Sequence, residues 1–313
     1  MELIKQKSGL KPLTKEISRN RAVLELILAG ALWGLGFTAN ELALKSISSI
    51  EILLFRMAIA VACGEFVRAV GFRNSPPFTW KDMKLAAPAG LILSVFLIFQ
   101  TVGMEYTTAT NSGFITTLYV IFVPLLNHVF MRVKAPFVVY LLAAFALFGA
   151  YLMMGTNASE LNRGDLLTLV CAVVGAIHII YLGRASPKAS DVIRFNNWQS
   201  FFCLLPVIPF WFFMGKTPFD KMTLESWWGV LFLAVGSSVV AFTLQVRAQR
   251  VLNDMTASML FLLESPFAFL FGFIFLSERL NLLQASGAIV ILASSALTIL
   301  LDSRGHSKSE SLK

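Results

Sequence analysis

Apolar runs about as long as a bilayer is thick recur along the chain, at 22–44, 49–70, 85–104, 108–130, 135–155, 164–183, 192–214, 226–246, 255–277 and 281–301. A helix rising about 1.5 Å per residue needs roughly 20 residues to cross a hydrocarbon core roughly 30 Å thick, so each run predicts one membrane-spanning helix. The connections carry helix-breaking residues: Asn74-Ser75-Pro76-Pro77, Gly155-Thr156-Asn157, Ser186-Pro187 and Lys216-Thr217-Pro218. The joins at 104–108 and 277–281 require tight turns. The pattern predicts an all-α integral membrane protein of ten transmembrane helices.

Composition supports lipid as the solvent. The chain is 57% hydrophobic and 14% charged, with mean hydropathy +0.73, whereas soluble domains carry about a quarter charged residues. Basic residues check the span count independently, because cytoplasmic loops of membrane proteins are enriched in Lys and Arg. With ten spans, twenty of the 26 fall on one side, in residues 1–21, in alternate connections and in the tail 302–313. Five (Lys45, Arg163, Lys216, Lys221, Arg279) fall on the other, and Arg56 stays inside the second span. One missed helix would scramble that alternation, so both termini are predicted cytoplasmic in a multi-pass protein of the cell membrane. The same distribution disfavours a nucleic-acid partner despite a net charge of +8, since the charge is spread over loops without interleaved aromatics. The basic start lacks the apolar core of a cleaved signal, so the first run is expected to remain as a helix.

The halves echo one another. Ala31-Leu32-Trp33-Gly34 aligns with Ala172-Val173-Val174-Gly175 at an offset of 141, Phe55-Arg56 with Trp198-Gln199 at 143, Phe99-Gln100 with Leu244-Gln245 at 145, and Thr110-Asn111-Ser112 with Thr256-Ala257-Ser258 at 146. An offset that drifts steadily is what small loop insertions produce. Two repeats are expected, 22–155 and 164–301. Because five spans per repeat is odd, the second enters from the opposite side, giving the inverted topology that underlies alternating access.

Several motifs carry a family resemblance: Trp33-Gly34 with Phe37 and Asn40, Phe55-Arg56, Tyr106-Thr107-Thr108-Ala109 leading into Asn111-Ser112-Gly113-Phe114 and Pro124, Ala257-Ser258 through Pro266, and Glu278-Arg279-Leu280. From about 22 to 301 the chain resembles the drug/metabolite transporter superfamily in its EamA-type ten-helix branch. The chain departs from it at Arg132-Val133-Lys134, where a glutamate like Glu278 is common, so no role of that glutamate carries over.

Polar groups at membrane depth are costly and mark candidate sites. Arg56 either snorkels or pairs structurally, for example with Glu51, or meets an anionic part of a solute. Glu264, just before Ser265-Pro266, either makes a structural hydrogen bond or takes a cation, a proton or an amine. His178 and the neighbouring Tyr181 divide between helix-to-helix bonding and proton or solute contact. Trp33, Phe37 and Asn40 share one helix face, as do Ser112, Thr116 and Tyr119. Gln100, Asn111, Gln199 and Gln245 complete the cavity candidates, with interhelical hydrogen bonding as the competing role for all of these. The fifth and tenth spans are more apolar, with Gly149 and Gly287, and are placed at the periphery or at a possible homodimer contact.

Cys63, Cys171 and Cys203 show no CxxC pairing and read as packing residues, and His128, His178 and His306 lack metal-ligand spacing. No GxxxxGK[ST] motif occurs, so direct drive by ATP is not expected, and no cofactor or metal is implied. The sequence therefore predicts a secondary transporter of a small polar metabolite, an amino acid or a related compound, with export as its direction. The alternative is a membrane-embedded lipid-processing enzyme. It is weakened by the lack of DxxD, HExxH and GxSxG motifs.

Overall fold

The computed structural model describes residues 17–71, 79–132, 136–154, 162–213, 221–276 and 281–310. The expected turns at 74–77, 155–157 and 216–218, the Glu278-Arg279-Leu280 motif, Lys134 and most of the basic N-terminal tail lie outside the described residues. Among the described residues the regular structure is entirely helical: α1 (Arg19–Leu44), α2 (Ser49–Gly71), α3 (Trp80–Gly103), α4 (Ala109–Thr116), α5 (Tyr119–Met131), α6 (Phe137–Met154), α7 (Arg163–Ala185), α8 (Val192–Phe213), α9 (Leu224–Phe232), α10 (Phe242–Ala248), α11 (Asp254–Phe261), α12 (Glu264–Leu276) and α13 (Leu282–Glu310). A π-helical stretch, Leu233–Ala241, joins α9 to α10, and a 3₁₀ turn, Ser186–Lys188, follows α7.

Helix thus occupies each of the ten apolar runs. Among the described residues, seven helical spans are long and apolar enough to cross a membrane. In α2, Glu51, Arg56, Glu65 and Arg68 interrupt the apolar run, and α8 opens on Arg194, Asn196, Asn197 and Gln199.

Capping residues explain where several helices start. Ser18, Thr79, Thr108, Thr223 and Asn253 each accept a hydrogen bond from the backbone N–H three residues on, and Asn162 with Asp165 forms a reciprocal capping box. Two runs are broken rather than continuous. At Thr117-Leu118 the backbone switches to three-residue hydrogen bonds, and the Thr117 hydroxyl donates to the Phe114 carbonyl at 2.6 Å. At Leu262-Leu263 the cause is Pro266. It lacks the N–H that would reach the Leu262 carbonyl, and Ser265 N–H takes that carbonyl instead at 3.2 Å.

Small residues let the helices approach. A Cβ on Gly34 of α1 would meet Phe267 Cβ at 2.6 Å and the Ala268 nitrogen at 2.7 Å on α12. Gly149 of α6 lies against the Gly287 carbonyl of α13, at 2.7 Å from where its Cβ would be. The two glycines expected at the periphery or a dimer contact therefore join α6 to α13 of the same chain. Phe145, Phe148 and Tyr151 of α6, with Leu292 and Leu297 of α13, are exposed on the outside of this pair, the surface that lipid solvates.

Candidate functional site

Nine of the helical elements converge on one cavity of about 660 Å³, open solvent at its mouth included. Its long wall is α1, where Trp33, Phe37 and Asn40 line it at successive turns, as their spacing predicts. Arg56, Gln100, Tyr119, His178, Gln245 and Glu264 also face it, from six other elements. Aromatic rings form its body: Trp33 lies 5.2 Å from Phe242 and 5.1 Å from Phe261 between ring centroids.

Five candidates do not line the cavity. Thr116 stands behind it, accepting from Gln100 Nε2 at 3.3 Å, and Gln199 backs His178 at 3.3 Å. Tyr181 donates to the Leu85 carbonyl at 2.9 Å, tying α7 to α3. Ser112 is fully buried with an unpartnered hydroxyl, and Asn111 contributes its backbone N–H to the Thr108 cap. Periodicity placed Asn111, Ser112 and Thr116 on one helix with Tyr119, but the break at Thr117-Leu118 turns α5 away from the α4 register. The apolar walls, Phe96, Phe242 and Phe261 among them, were not singled out, since nothing in an apolar helix distinguishes a cavity phenylalanine from a core one.

Arg56 is held by serines. Nε donates to Ser238 Oγ and Nη2 to Ser237 Oγ, each at 2.7 Å. Both serines lie on the π-helical stretch, where Phe242 N–H reaches back five residues to the Ser237 carbonyl. Such stretches leave carbonyls poorly paired. Here Asn196 Nδ2 takes up the load, with the Ser238 carbonyl at 3.0 Å, the Val239 carbonyl at 3.3 Å and Thr243 Oγ1 at 3.1 Å. Glu51, one of the partners open to Arg56 from the sequence, does not take it up; Glu51 accepts from Ser48 at 2.9 Å. Glu264, first residue of α12, has one hydrogen bond among the described residues, a long one from the Tyr119 hydroxyl at 3.4 Å. Arg56 and Glu264 form no ion pair with each other.

Polar ties gather at the end of the bundle where α1 begins. Arg247 grips Glu25 with two bonds of 2.7 Å, joining α10 to α1. Asn127 joins α5 to α11 through Asp254 at 3.4 Å and to α7 through Arg184 at 3.2 Å. Asp82 of α3 accepts from Ser190 N at 2.8 Å and from Ser190 Oγ at 2.6 Å. Arg250, in the turn after α10, reaches the Ser186 and Ala189 carbonyls at 3.0 and 2.6 Å. Burial holds its guanidinium below the ordinary arginine value, against the opposing pull of Asp191 and Asp82. At the other end, Lys45, Ser48, Glu105 and Lys221 surround a second open pocket, and Met104 lines both spaces. Among the described residues no cluster of ligating side chains could hold a metal, and the three cysteines form no disulfide.

A helical bundle with membrane-length apolar spans around a central, mostly aromatic cavity that carries a few polar groups is the build of a multi-pass membrane carrier. The model of the EamA-like transporter family matches the chain twice, over residues 20–155 and 162–300, and the chain belongs to that family. Its relatives include an uncharacterized transporter of Archaeoglobus fulgidus, 33% identical over 93% of this chain and 89% of its own. The uncharacterized transporter YoaV of Bacillus subtilis is 20% identical over 87% and 94%. Protein PecM of Dickeya dadantii is 26% identical over 53% and 55%. One solved crystal structure superposes with a TM-score of 0.72 at 16% identity, covering 92% of this chain and 99% of the other, which shows a shared fold.

Proposed function

We propose that this chain is a secondary transporter that carries a small polar metabolite, an amino acid or a related compound, across the cell membrane by alternating access. The observation that carries it is a cavity at membrane depth whose walls hold Arg56 and Glu264, each unpaired with an opposite charge. The charges do not compensate one another, so a solute bearing both signs has a complement for each. Arg56 uses only Nε and Nη2 on serines, and Nη1 is left for an anionic group.

Ten crossings in two inverted five-helix repeats, with both termini cytoplasmic, is the topology proposed. It is supported by the double family match and by corresponding local features in the two halves. Thr108 and Asn253 cap corresponding helices, the breaks at Thr117-Leu118 and Leu262-Leu263 follow at the same distance, and Tyr119 and Glu264 open the next helices and touch each other. With that orientation the ties around Glu25, Asn127 and Asp82 close the cytoplasmic end, and the cavity faces outward through the pocket beside Lys45. Export is the direction proposed.

Purified protein in liposomes loaded with a panel of radiolabelled amino acids tests the proposal. Saturable movement of an unchanged solute is expected; chemical conversion without movement would establish the membrane-enzyme alternative instead.

A further inference from the structure

Two chains of side-chain amides run to the cavity wall, and each is anchored on a backbone carbonyl, which can only accept. In the first, Gln249 Nε2 donates to the Ile179 carbonyl at 2.9 Å. Gln249 Oε1 must then accept, and it does, from Gln245 Nε2 at 3.0 Å. Gln245 Oε1 is left buried on a cavity residue with no donor in the fold. In the second, Asn196 Nδ2 donates to the Ser238 and Val239 carbonyls, so Asn196 Oδ1 accepts from Gln199 Nε2 at 3.2 Å. Gln199 Oε1 is therefore the acceptor facing His178 Nε2 at 3.3 Å. That assigns the ring proton to Nε2 and leaves Nδ1 of a neutral His178 as an acceptor. Asn40 follows the same logic without a relay. Its Nδ2 donates to the Met104 sulfur at 3.0 Å, and a thioether cannot donate, so the Asn40 amide oxygen is the free end and has no partner.

Three residues that are at least nine-tenths buried, Asn40, Gln245 and His178, thus carry acceptors beside one cavity that all three line, with the Glu264 carboxyl as a fourth. Trp33, Phe242 and Phe261 line the same space, and the Trp33 indole N–H is a buried donor without a partner there, able to meet the solute's anionic end. A buried acceptor left without a donor is costly, and this set asks for a ligand rich in N–H groups and positively charged. We infer that the cavity reads a primary ammonium group on its solute, and that Gln249 and Asn196, which do not line the cavity, are positioning residues that set the polarity of its wall. A hydroxyl has one proton for these acceptors and a quaternary ammonium has none, whereas a primary ammonium has three, and it can also lie on an aromatic face. This inference rests on the transporter proposal only in taking the cavity to be the solute site.

The test uses the full chain, purified into liposomes, and four probes of one skeleton: leucine, its N-trimethyl betaine, its α-hydroxy acid counterpart, and the amine lacking its carboxylate. Equilibrium binding and flux are both measured. Leucine is expected to bind at least about tenfold more tightly than the betaine and the hydroxy acid, since sites built to hydrogen-bond a group reject analogues lacking it; the amine, which keeps the ammonium but loses the partner of Arg56, should bind more weakly than leucine and still measurably. In Gln249→Met the leucine-to-betaine ratio should collapse towards one, while Gln249→Glu, which still accepts from Gln245, should preserve it. Equal affinity for leucine and betaine in the unmodified chain, or binding of none of the four, overturns the inference even where a variant fails to fold. An unchanged ratio in Gln249→Met overturns the relay's role. Leucine bound selectively but not carried across upholds the ammonium site and removes the transporter proposal; leucine carried without selectivity does the reverse.

Discussion

Arg56 and Glu264 show how little of a residue's role is set by its identity alone. A lone arginine inside a span reads equally as snorkelling, as paired, or as solute-binding. It is the two serine hydroxyls at 2.7 Å that fix the guanidinium without neutralising it. Replacement by alanine should weaken solute affinity by roughly 10–100-fold, the equivalent of about 1.5–3 kcal/mol for a lost charge-assisted bond. Lysine, which cannot reproduce the two-pronged grip, should recover only part of that; affinity equal to the unmodified protein in Arg56→Ala would take Arg56 out of the site. Glu264 has a weaker hold, a single 3.4 Å bond from Tyr119, and so stays available to a solute cation or a proton. Glu264→Gln keeps the shape and removes the titration, so any pH dependence of flux should flatten in that variant. A pH profile identical to the parent's would exclude Glu264 as a titrating group in transport.

At the scale of elements, the two broken helices and the π-helical stretch shape the cavity. Pro266 removes the donor for the Leu262 carbonyl and opens α12 at Glu264. Pro266→Ala restores that donor, and a straighter α11–α12 should re-aim Glu264 and slow flux while the protein still folds. Circular dichroism alongside the flux assay separates these two effects. The Gly149–Gly287 contact between α6 and α13 predicts the opposite result. Leucine at 149 would drive a Cβ into backbone, costing about 1–3 kcal/mol of overpacking. A lowered melting temperature is expected, with solute affinity in the surviving folded protein unchanged, because neither helix lines the cavity. The helical segments themselves were legible from hydropathy, whereas their six caps at Ser18, Thr79, Thr108, Asn162, Thr223 and Asn253 emerged only with the structure. The π-helical stretch was not legible either, because Leu233–Ala241 has the composition of any apolar helix and its irregularity depends on Asn196 and Arg56 arriving from other helices.

For the whole molecule, the decisive feature among the described residues is that polar ties hold the helices at both ends while an open pocket sits at one of them. An ion pair and side-chain hydrogen bonds tie one end through Glu25–Arg247, Asn127–Asp254 and Asp82–Ser190; the other is tied through Ser46–Ser226 and Thr107–Asp165 and holds the open pocket beside Lys45 and Glu105. Arg247→Ala leaves Glu25 buried without its bidentate partner and should favour opening of the tied end. With a cysteine introduced at Ser237, labelling by a membrane-impermeant reagent should rise from the cytoplasmic face of inside-out vesicles; labelling confined to the opposite face would show that Glu25–Arg247 does not hold the end shut. Labelled tags at both termini check the proposed topology, with protection from external reagent in intact cells as the expected result.

The order of hydrophobic and polar residues was enough to determine an all-helical membrane protein, the location of its helical segments, and a resemblance that the family match upholds. These follow from the cost of placing backbone and charge in hydrocarbon, which each segment meets by itself. Tertiary structure decided which polar atoms remain without a partner. Thr116, Gln199 and Tyr181 spend theirs on neighbouring helices or side chains, whereas Asn40 and Gln245, which line the cavity, each keep a buried oxygen without a donor. A hydrogen bond is satisfied by whatever stands opposite in space, and residues such as Asn40 and Met104, 64 positions apart, meet only when the helices have packed.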